Sequence, residues 1–176
     1  MFNDENFIKE HVEIVKELNV DSVFEIGCKS GELIEPLNKP ITGIDIDPLI
    51  NGVIKADIRT FKSKKKYDLV FSSGLLEHFP IDEIPQIIKN MATLSKEYVL
   101  NYVPNTNCEA YMNCKANTDA EWKDELNFTA IELIKLHQEA GLETIKAGVV
   151  GAEWAKKFGP EPSEPYLVWV LARKVK

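Results

Sequence analysis

The sequence predicts an α/β fold, an open and mostly parallel sheet with helices on both faces, and three observations carry that reading. Val23, Phe24 and Ile26 form an apolar run that stops at a turn bracketed by Gly27 and Gly31, and Leu33, Ile34 and Leu37 then recur at helical spacing. A second apolar run, residues 41–48, carries the carboxylates Asp45 and Asp47 at its end, with Asp45 eighteen residues beyond Gly27. Two more apolar runs, 67–73 and 98–103, are separated by Ile84, Ile87, Ile88, Met91 and Leu94, the stripe of an amphipathic helix. Strands alternating with helical patterns are the mark of a parallel sheet.

Length and composition bound the rest. A chain of 176 residues, 44% hydrophobic, fills one core and is short for two, so a single domain over 1–176 is expected. No apolar run reaches the ~18 residues of a membrane span, and Met1 to Glu10 lacks the basic-then-apolar character of a signal peptide. A soluble, cytoplasmic protein with no membrane partner is therefore expected. Cys28, Cys108 and Cys114 are odd in number and lack metal-ligand spacing, so they read as reduced thiols, and no metal site is expected. A net charge of -7 argues against a nucleic-acid partner and in favour of a small-molecule substrate.

The elements follow in order. Phe7, Ile8, Val12, Val15 and Leu18 make an N-terminal helix within 1–20, with Asn3 or Asp4 as its cap. His11 on it reads as a surface or boundary residue without a chemical role. Gly27 lets the chain turn and lets a ligand approach the main chain. The amides opening the next helix favour an anion such as a carboxylate, and Glu25 before the turn suits an ammonium group or orients the turn by hydrogen bonds. That helix is short, because Pro36 kinks it and residues 38–40 end it.

Asp45 ends the second strand near the distance at which such sheets offer an acid to ribose hydroxyls, whereas Asp47 reads as a turn former. Only residues 48–53 separate this strand from the next apolar run, 53–56, too few for a helical crossover. The second helix is therefore reduced to a turn and the third strand is very short. Asp57 then reads as a strand-terminal cap of the following turn. Lys62, Lys64, Lys65 and Lys66 belong to a solvated loop.

Pro85 is tolerable in the first turn of the helix that carries Ile84 to Leu94. Residues 104–127 are long, polar and interspersed with Tyr111, Met112 and Trp122, which suits a lid, partly helical, over the bound ligand. Residues 128–141 form a helix with Thr129 as N-cap, Glu132 completing a capping box and Gly141 at its end; His137 on it is exposed or hydrogen-bonded structurally. The runs 142–150 and 166–173 are the last strands, and 151–165 between them carries Trp154, Phe158 and three prolines. The two insertions, 104–127 and 151–165, and the N-terminal helix are the candidate substrate pocket.

The segment Glu25-Ile26-Gly27-Cys28-Lys29-Ser30-Gly31 resembles the first motif of the class I S-adenosylmethionine-dependent methyltransferases, acidic-x-Gly-x-Gly-x-Gly. Lys29 stands where the middle glycine is expected and fits there if its backbone angles are ordinary and its side chain lies in solvent. Gly74-Leu75-Leu76-Glu77-His78-Phe79-Pro80 resembles the family's fourth motif, including the Leu-Glu-His of its small-molecule members. The Lys-Pro-Gly-Gly hairpin that many members place before the fifth strand is missing. The resemblance spans nearly all of Ser22 to Arg173 and is to a compact variant.

The resemblance implies a Rossmann-like methyltransferase fold: seven strands in the order 3-2-1-4-5-7-6, strand 7 antiparallel. It implies S-adenosylmethionine as cofactor, bound by Glu25, Gly27, Cys28, Gly31, Asp45, Ile46, Asp57, Ile58 and Ser73. In that reading Asp57 accepts from the adenine amine and Ile58 packs on the ring. It also implies methyl transfer to a small molecule, with His78 as candidate base and Glu77 as a second.

Three other classes are weighed by their motifs. A nicotinamide-dependent oxidoreductase shares the turn and Asp45 but needs Gly-x-Gly-x-x-Gly. A DNA-adenine methyltransferase needs an Asn- or Asp-Pro-Pro-aromatic tetrapeptide where this chain has Ser73-Gly74-Leu75-Leu76. A methyltransferase-like binding module without catalysis stays open because of Lys29 and the missing second helix. The acceptor is not legible, and a homodimer is a possible assembly.

Overall fold

The structure, a computed structural model, describes residues 4–159 and 163–175. Its strands are β1 (Val23–Ile26), β2 (Gly43–Asp45), β3 (Val53–Lys55), β4 (Tyr67–Ser73), β5 (Ser95–Pro104), β6 (Leu142–Val150) and β7 (Leu167–Lys174). They form one sheet in the order β3-β2-β1-β4-β5-β7-β6. The first five run parallel, and β7 runs antiparallel to both β5 and β6. This is the order and the reversal that the resemblance implies.

The helices are α1 (Glu5–Lys16), α2 (Ile84–Leu94), α3 (Glu109–Ala116), α4 (Ala130–Glu139) and α5 (Ala152–Ala155). Asp4 caps α1, its Oδ1 accepting from the amides of Asn6 and Phe7 at 3.0 Å each; Asn3, the other candidate cap, lies outside the described residues. Pro85 sits in the first turn of α2. On α4, Thr129 and Glu132 form the expected capping box, and Gly141 leaves the helix with φ +82°.

Strand side chains alternate between two cores, as a pleated sheet requires. Phe24, Ile26, Val70, Val99 and Val103 face α2 and α4 in one core. Val23, Leu69, Phe71, Leu100 and Tyr102 face Phe7 and Val15 of α1 in the other. Glu25 and Ser73 follow the same alternation towards α1, which sets the position of the site.

Three expectations are corrected. The helix after the glycine turn is a single 3₁₀ turn, Glu35–Leu37, because Pro36 lies at its start and Asn38, at φ +54°, closes it. His11 is fully buried: its Nδ1 meets the Tyr102 hydroxyl at 3.0 Å, and its ring packs 4.9 Å from that of Phe71. Burial pushes its pKa down to about 3, so it is neutral. Lys29 does not keep ordinary backbone angles: its φ is +27°, in the left-handed region.

His137 is buried and hydrogen-bonded. Its Nδ1 lies 2.8 Å from the Leu133 carbonyl and its Nε2 2.9 Å from Asn101 Nδ2, while Asn101 Oδ1 accepts from Ser72 Oγ at 2.7 Å. The chain Ser72–Asn101–His137 thus ties β4 and β5 to α4.

Candidate functional site

The switch point lies where β1 has β2 on one side and β4 on the other, the place where open parallel sheets bind ligands. Gly27 leaves β1 with φ +78°, and its amide and that of Cys28 donate to the Ile44 carbonyl at 2.9 and 3.2 Å. The Lys29 amide donates to Asp45 Oδ2 at 3.0 Å, and Asp45 Oδ1 accepts from the Asp47 amide at 2.7 Å. The amides of Gly27, Cys28 and Lys29 are therefore spent on β2 and its carboxylate, and that of Gly31 on the Cys28 carbonyl. The helix that follows is reduced to one 3₁₀ turn, Glu35–Leu37.

Two clefts meet at Gly27. The first, open to solvent, is lined by Glu25, Gly27, Cys28, Lys29, Ser30 and Ser73 from the sheet side, and by Phe7, Ile8 and Trp154 from α1 and α5. Glu25 is its most unusual wall. The carboxyl is 5% exposed, and its Oε2 has no partner. Burial pushes its pKa up to about 8, against the opposing effect of a hydrogen bond with the Cys28 thiol, and the charges of Glu32 and Asp45 push the same way as burial. Burial raises the Cys28 pKa as well, so the thiol stays protonated.

The second cleft, ≈ 350 Å³, is lined by Ile26, Ile44, Asp45, Ile46, Ala56, Asp57, Ile58 and Leu75. Ile46 is 68% exposed here, beyond the end of β2. The Asp57 carboxylate is bound by Arg59, whose Nη2 donates at 2.6 Å and whose amide donates at 2.8 Å. Its carbonyl accepts from the amides of Thr60 and Phe61. Asp57 thus caps the following turn, and the Arg59 guanidinium beside it holds its pKa below the usual carboxylate range.

Of the sequence-derived residues, Glu25, Gly27, Cys28 and Ser73 line the first cleft, and Asp45, Ile46, Asp57 and Ile58 the second, with Gly27 shared. Gly31 lies behind the turn against Ile41 and lines neither. Among the described residues, none that lines either cleft comes from 104–127. Pro160 and Pro162 of the second insertion lie outside the described residues.

Gly43 is a site residue that sequence reasoning missed. A Cβ there would stand 2.5 Å from the Glu25 carbonyl oxygen and 2.7 Å from Cys28 Cβ. The close approach of β2 beneath the turn thus depends on a missing side chain, and its only signal was a glycine inside a strand pattern.

Beyond Ser73, Gly74 turns the chain with φ +65° into a 3₁₀ turn, Leu76–His78. Glu77 is 4% exposed and its Oε2 has no partner; burial pushes its pKa up to about 8, and the Glu125 charge adds to the rise. His78 Nδ1 stands 3.4 Å from Glu125 Oε1. The Leu126 amide donates to the Glu77 carbonyl at 3.0 Å, which brings the stretch after α3 alongside the fourth-strand loop. Beside it lies an aromatic cluster in which Tyr111 packs on Trp122, Phe158 and Tyr166 with centroids 4.9–5.6 Å apart. Glu125 is the second residue that sequence reasoning missed, since it carries no motif and lies 47 positions from His78.

The residues present fit S-adenosylmethionine. The unpartnered Oε2 of the buried Glu25 carboxyl meets the need of an ammonium group, Gly27 lets a ligand lie against the main chain, and Ile46, Ala56, Ile58 and Leu75 form an apolar slot beside Asp45.

A family model described as "Methyltransferase domain" matches residues 6–147, well over half of the chain. Magnesium protoporphyrin IX methyltransferase from Synechocystis PCC 6803, solved with bound S-adenosylhomocysteine, is 16% identical with a TM-score of 0.69, covering 96% of this chain and 81% of that one. An S-adenosylmethionine-dependent methyltransferase from Clostridium acetobutylicum ATCC 824 is 12% identical with a TM-score of 0.72, covering 99% and 93%. A methyltransferase from Thermotoga maritima, described as a possible histamine N-methyltransferase, is 18% identical with a TM-score of 0.71, covering 96% and 89%. At these identities the likeness shows a common fold. No curated protein matches the sequence.

Proposed function

The chain belongs to the methyltransferase-domain family, and on that premise we propose that it transfers a methyl group from S-adenosylmethionine to a small-molecule acceptor. The observation that carries the reading is Glu25, a buried carboxyl on the wall of the cleft at the switch point, hydrogen-bonded by the Cys28 thiol but with Oε2 left without a partner. Leaving that one oxygen buried without a partner costs about 1–3 kcal/mol, which an incoming ammonium group would offset.

S-adenosylmethionine, when bound, supplies an electrophilic methyl carbon on a sulfonium. The protein's part is position and the exclusion of water, and effective molarity of that kind is worth about 7–11 kcal/mol. Glu25 receives the amino group. Lys29, the one cation among the lining residues of the first cleft, faces the carboxylate. Asp45 uses two of its roughly four lone-pair sites on backbone amides and keeps the others for hydroxyls. Ile46, Ile58 and Leu75 hold a flat ring between them.

On the acceptor side, Phe7, Ile8 and Trp154 close the first cleft with apolar surface and exclude water. Glu77 and His78 lie on the loop that follows Ser73, Glu125 stands 3.4 Å from His78, and the three draw the proton of a hydroxyl or amine acceptor. The test is incubation with methyl-labelled S-adenosylmethionine and a panel of small amines, phenols and carboxylates. Labelled product with stoichiometric S-adenosylhomocysteine supports the reading. Tight cofactor binding with no acceptor turned over would favour the non-catalytic binding module.

A further inference from the structure

We propose that Glu77, His78 and Glu125 together bind a divalent metal cation, with Mn²⁺ as its representative, beside the acceptor end of the cleft. Its catalytic use rests on the methyl-transfer reading above, whereas its existence does not.

One ligand atom from each of the three residues lies within 4.8 Å of the other two. Metal–nitrogen and metal–oxygen bonds of about 2.0–2.2 Å set neighbouring ligands roughly 3–4 Å apart, so small side-chain movements close the set on one ion. The 3.4 Å between His78 Nδ1 and Glu125 Oε1 is too long for a good hydrogen bond, and it is a normal separation for two ligands of one ion.

A second observation points the same way. Glu77 is 4% exposed with Oε2 unpartnered, although its carboxyl belongs to this cluster. The Tyr111 hydroxyl, which interacts electrostatically with Glu125 and Glu77, is also buried without a partner. Lys115 is a cation that interacts with both carboxyls, but its ammonium donates to the Glu125 carbonyl and the Asn127 side chain. With Lys115 so engaged, the two carboxyl groups are left for a dication, whose binding would displace the Glu77 proton. One imidazole with two carboxylates suits Mn²⁺, Fe²⁺, Co²⁺ or Zn²⁺ better than Ca²⁺. Half of the His78 side chain is exposed, so the ion keeps open positions for water or an acceptor oxygen, which it would acidify.

The test uses the whole chain, titrated with Mn²⁺ under electron paramagnetic resonance and with Co²⁺ under visible absorption, in the wild type, His78→Ala, Glu125→Gln and Glu77→Gln. One ion per chain, weakened at least about tenfold by each substitution, is expected. Thermal melting of each variant shows that it is folded. Absence of stoichiometric binding of both ions, or binding undiminished in His78→Ala and Glu125→Gln, overturns the proposal. S-adenosylhomocysteine is titrated in the same samples. If it binds and no metal does, the metal site alone fails; if metal binds and it does not, the metal site stands and the methyl-transfer reading fails.

Discussion

The amide of Lys29 donates to Asp45 Oδ2 at 3.0 Å, so the carboxylate that ends β2 holds the turn that follows β1. Asp45 thus joins the two strands whose loops carry the clefts, and Lys29 adopts φ +27° to reach it.

Lys29→Gly separates conformation from charge. Glycine takes the left-handed angles freely and keeps the amide, so stability should rise by about 1 kcal/mol, a melting shift of roughly 2–4 °C. Removing the cation from the cleft should weaken S-adenosylhomocysteine binding about two- to fivefold, the scale of an exposed ion pair. Thermal denaturation and calorimetry read the two effects independently.

Gly43→Ala should destabilise the protein by about 2–3 kcal/mol or displace β2, because the new Cβ meets the Glu25 carbonyl at 2.5 Å and backbone cannot yield as a side chain does. Urea denaturation measures the loss. A near-neutral substitution would mean that β2 sits further from the turn.

The acid limb of stability belongs partly to His11. Its pKa is about 3 in the fold against about 6.5 when exposed, so below pH 6.5 the unfolded chain takes up a proton that the folded chain refuses. Stability therefore falls as pH drops, by up to about 1.4 kcal/mol per unit. Glu25 and Glu77, with raised pKa values, act in the opposite sense from about pH 4.5 to 8, so the comparison must be differential. Between pH 6 and 4.5, His11→Phe should lose less stability than the wild type. Equal slopes would place His11 in contact with solvent.

Glu25 couples cofactor binding to pH. With its pKa at about 8 it is mostly protonated at neutral pH, and pairing with an ammonium group requires the carboxylate. Binding at pH 7 should release a proton, and affinity should improve up to about tenfold per unit towards pH 8 and then flatten. Calorimetry in two buffers of different ionisation enthalpy counts the proton, and Glu25→Gln should abolish the release.

What was legible in the sequence was what is local or periodic. The stripes of α1, α2 and α4, the Thr129–Glu132 box and the short β2–β3 connection are patterns of neighbouring residues, and the strand order was implied by the family resemblance that two motifs carry. What was not legible depends on distant partners. His11 is buried by Tyr102, 91 positions away, so its helix alone shows only a polar residue near an apolar stripe. Glu125 joins Glu77 and His78 through a backbone contact at Leu126 that no spacing announces. The glycine turn was legible as a turn, but whether its amides stay free depends on the register of β2 against β1.

The central claim is that the switch-point clefts hold S-adenosylmethionine through Glu25 and Asp45. Calorimetric titration with S-adenosylmethionine, S-adenosylhomocysteine and NAD, on the wild type and on Asp45→Ala, tests it most directly. Micromolar binding of the two sulfur compounds, none of NAD, and a loss of about tenfold or more in the variant are the expected results. Folded protein that binds neither sulfur compound, or binds both equally well without Asp45, would contradict it.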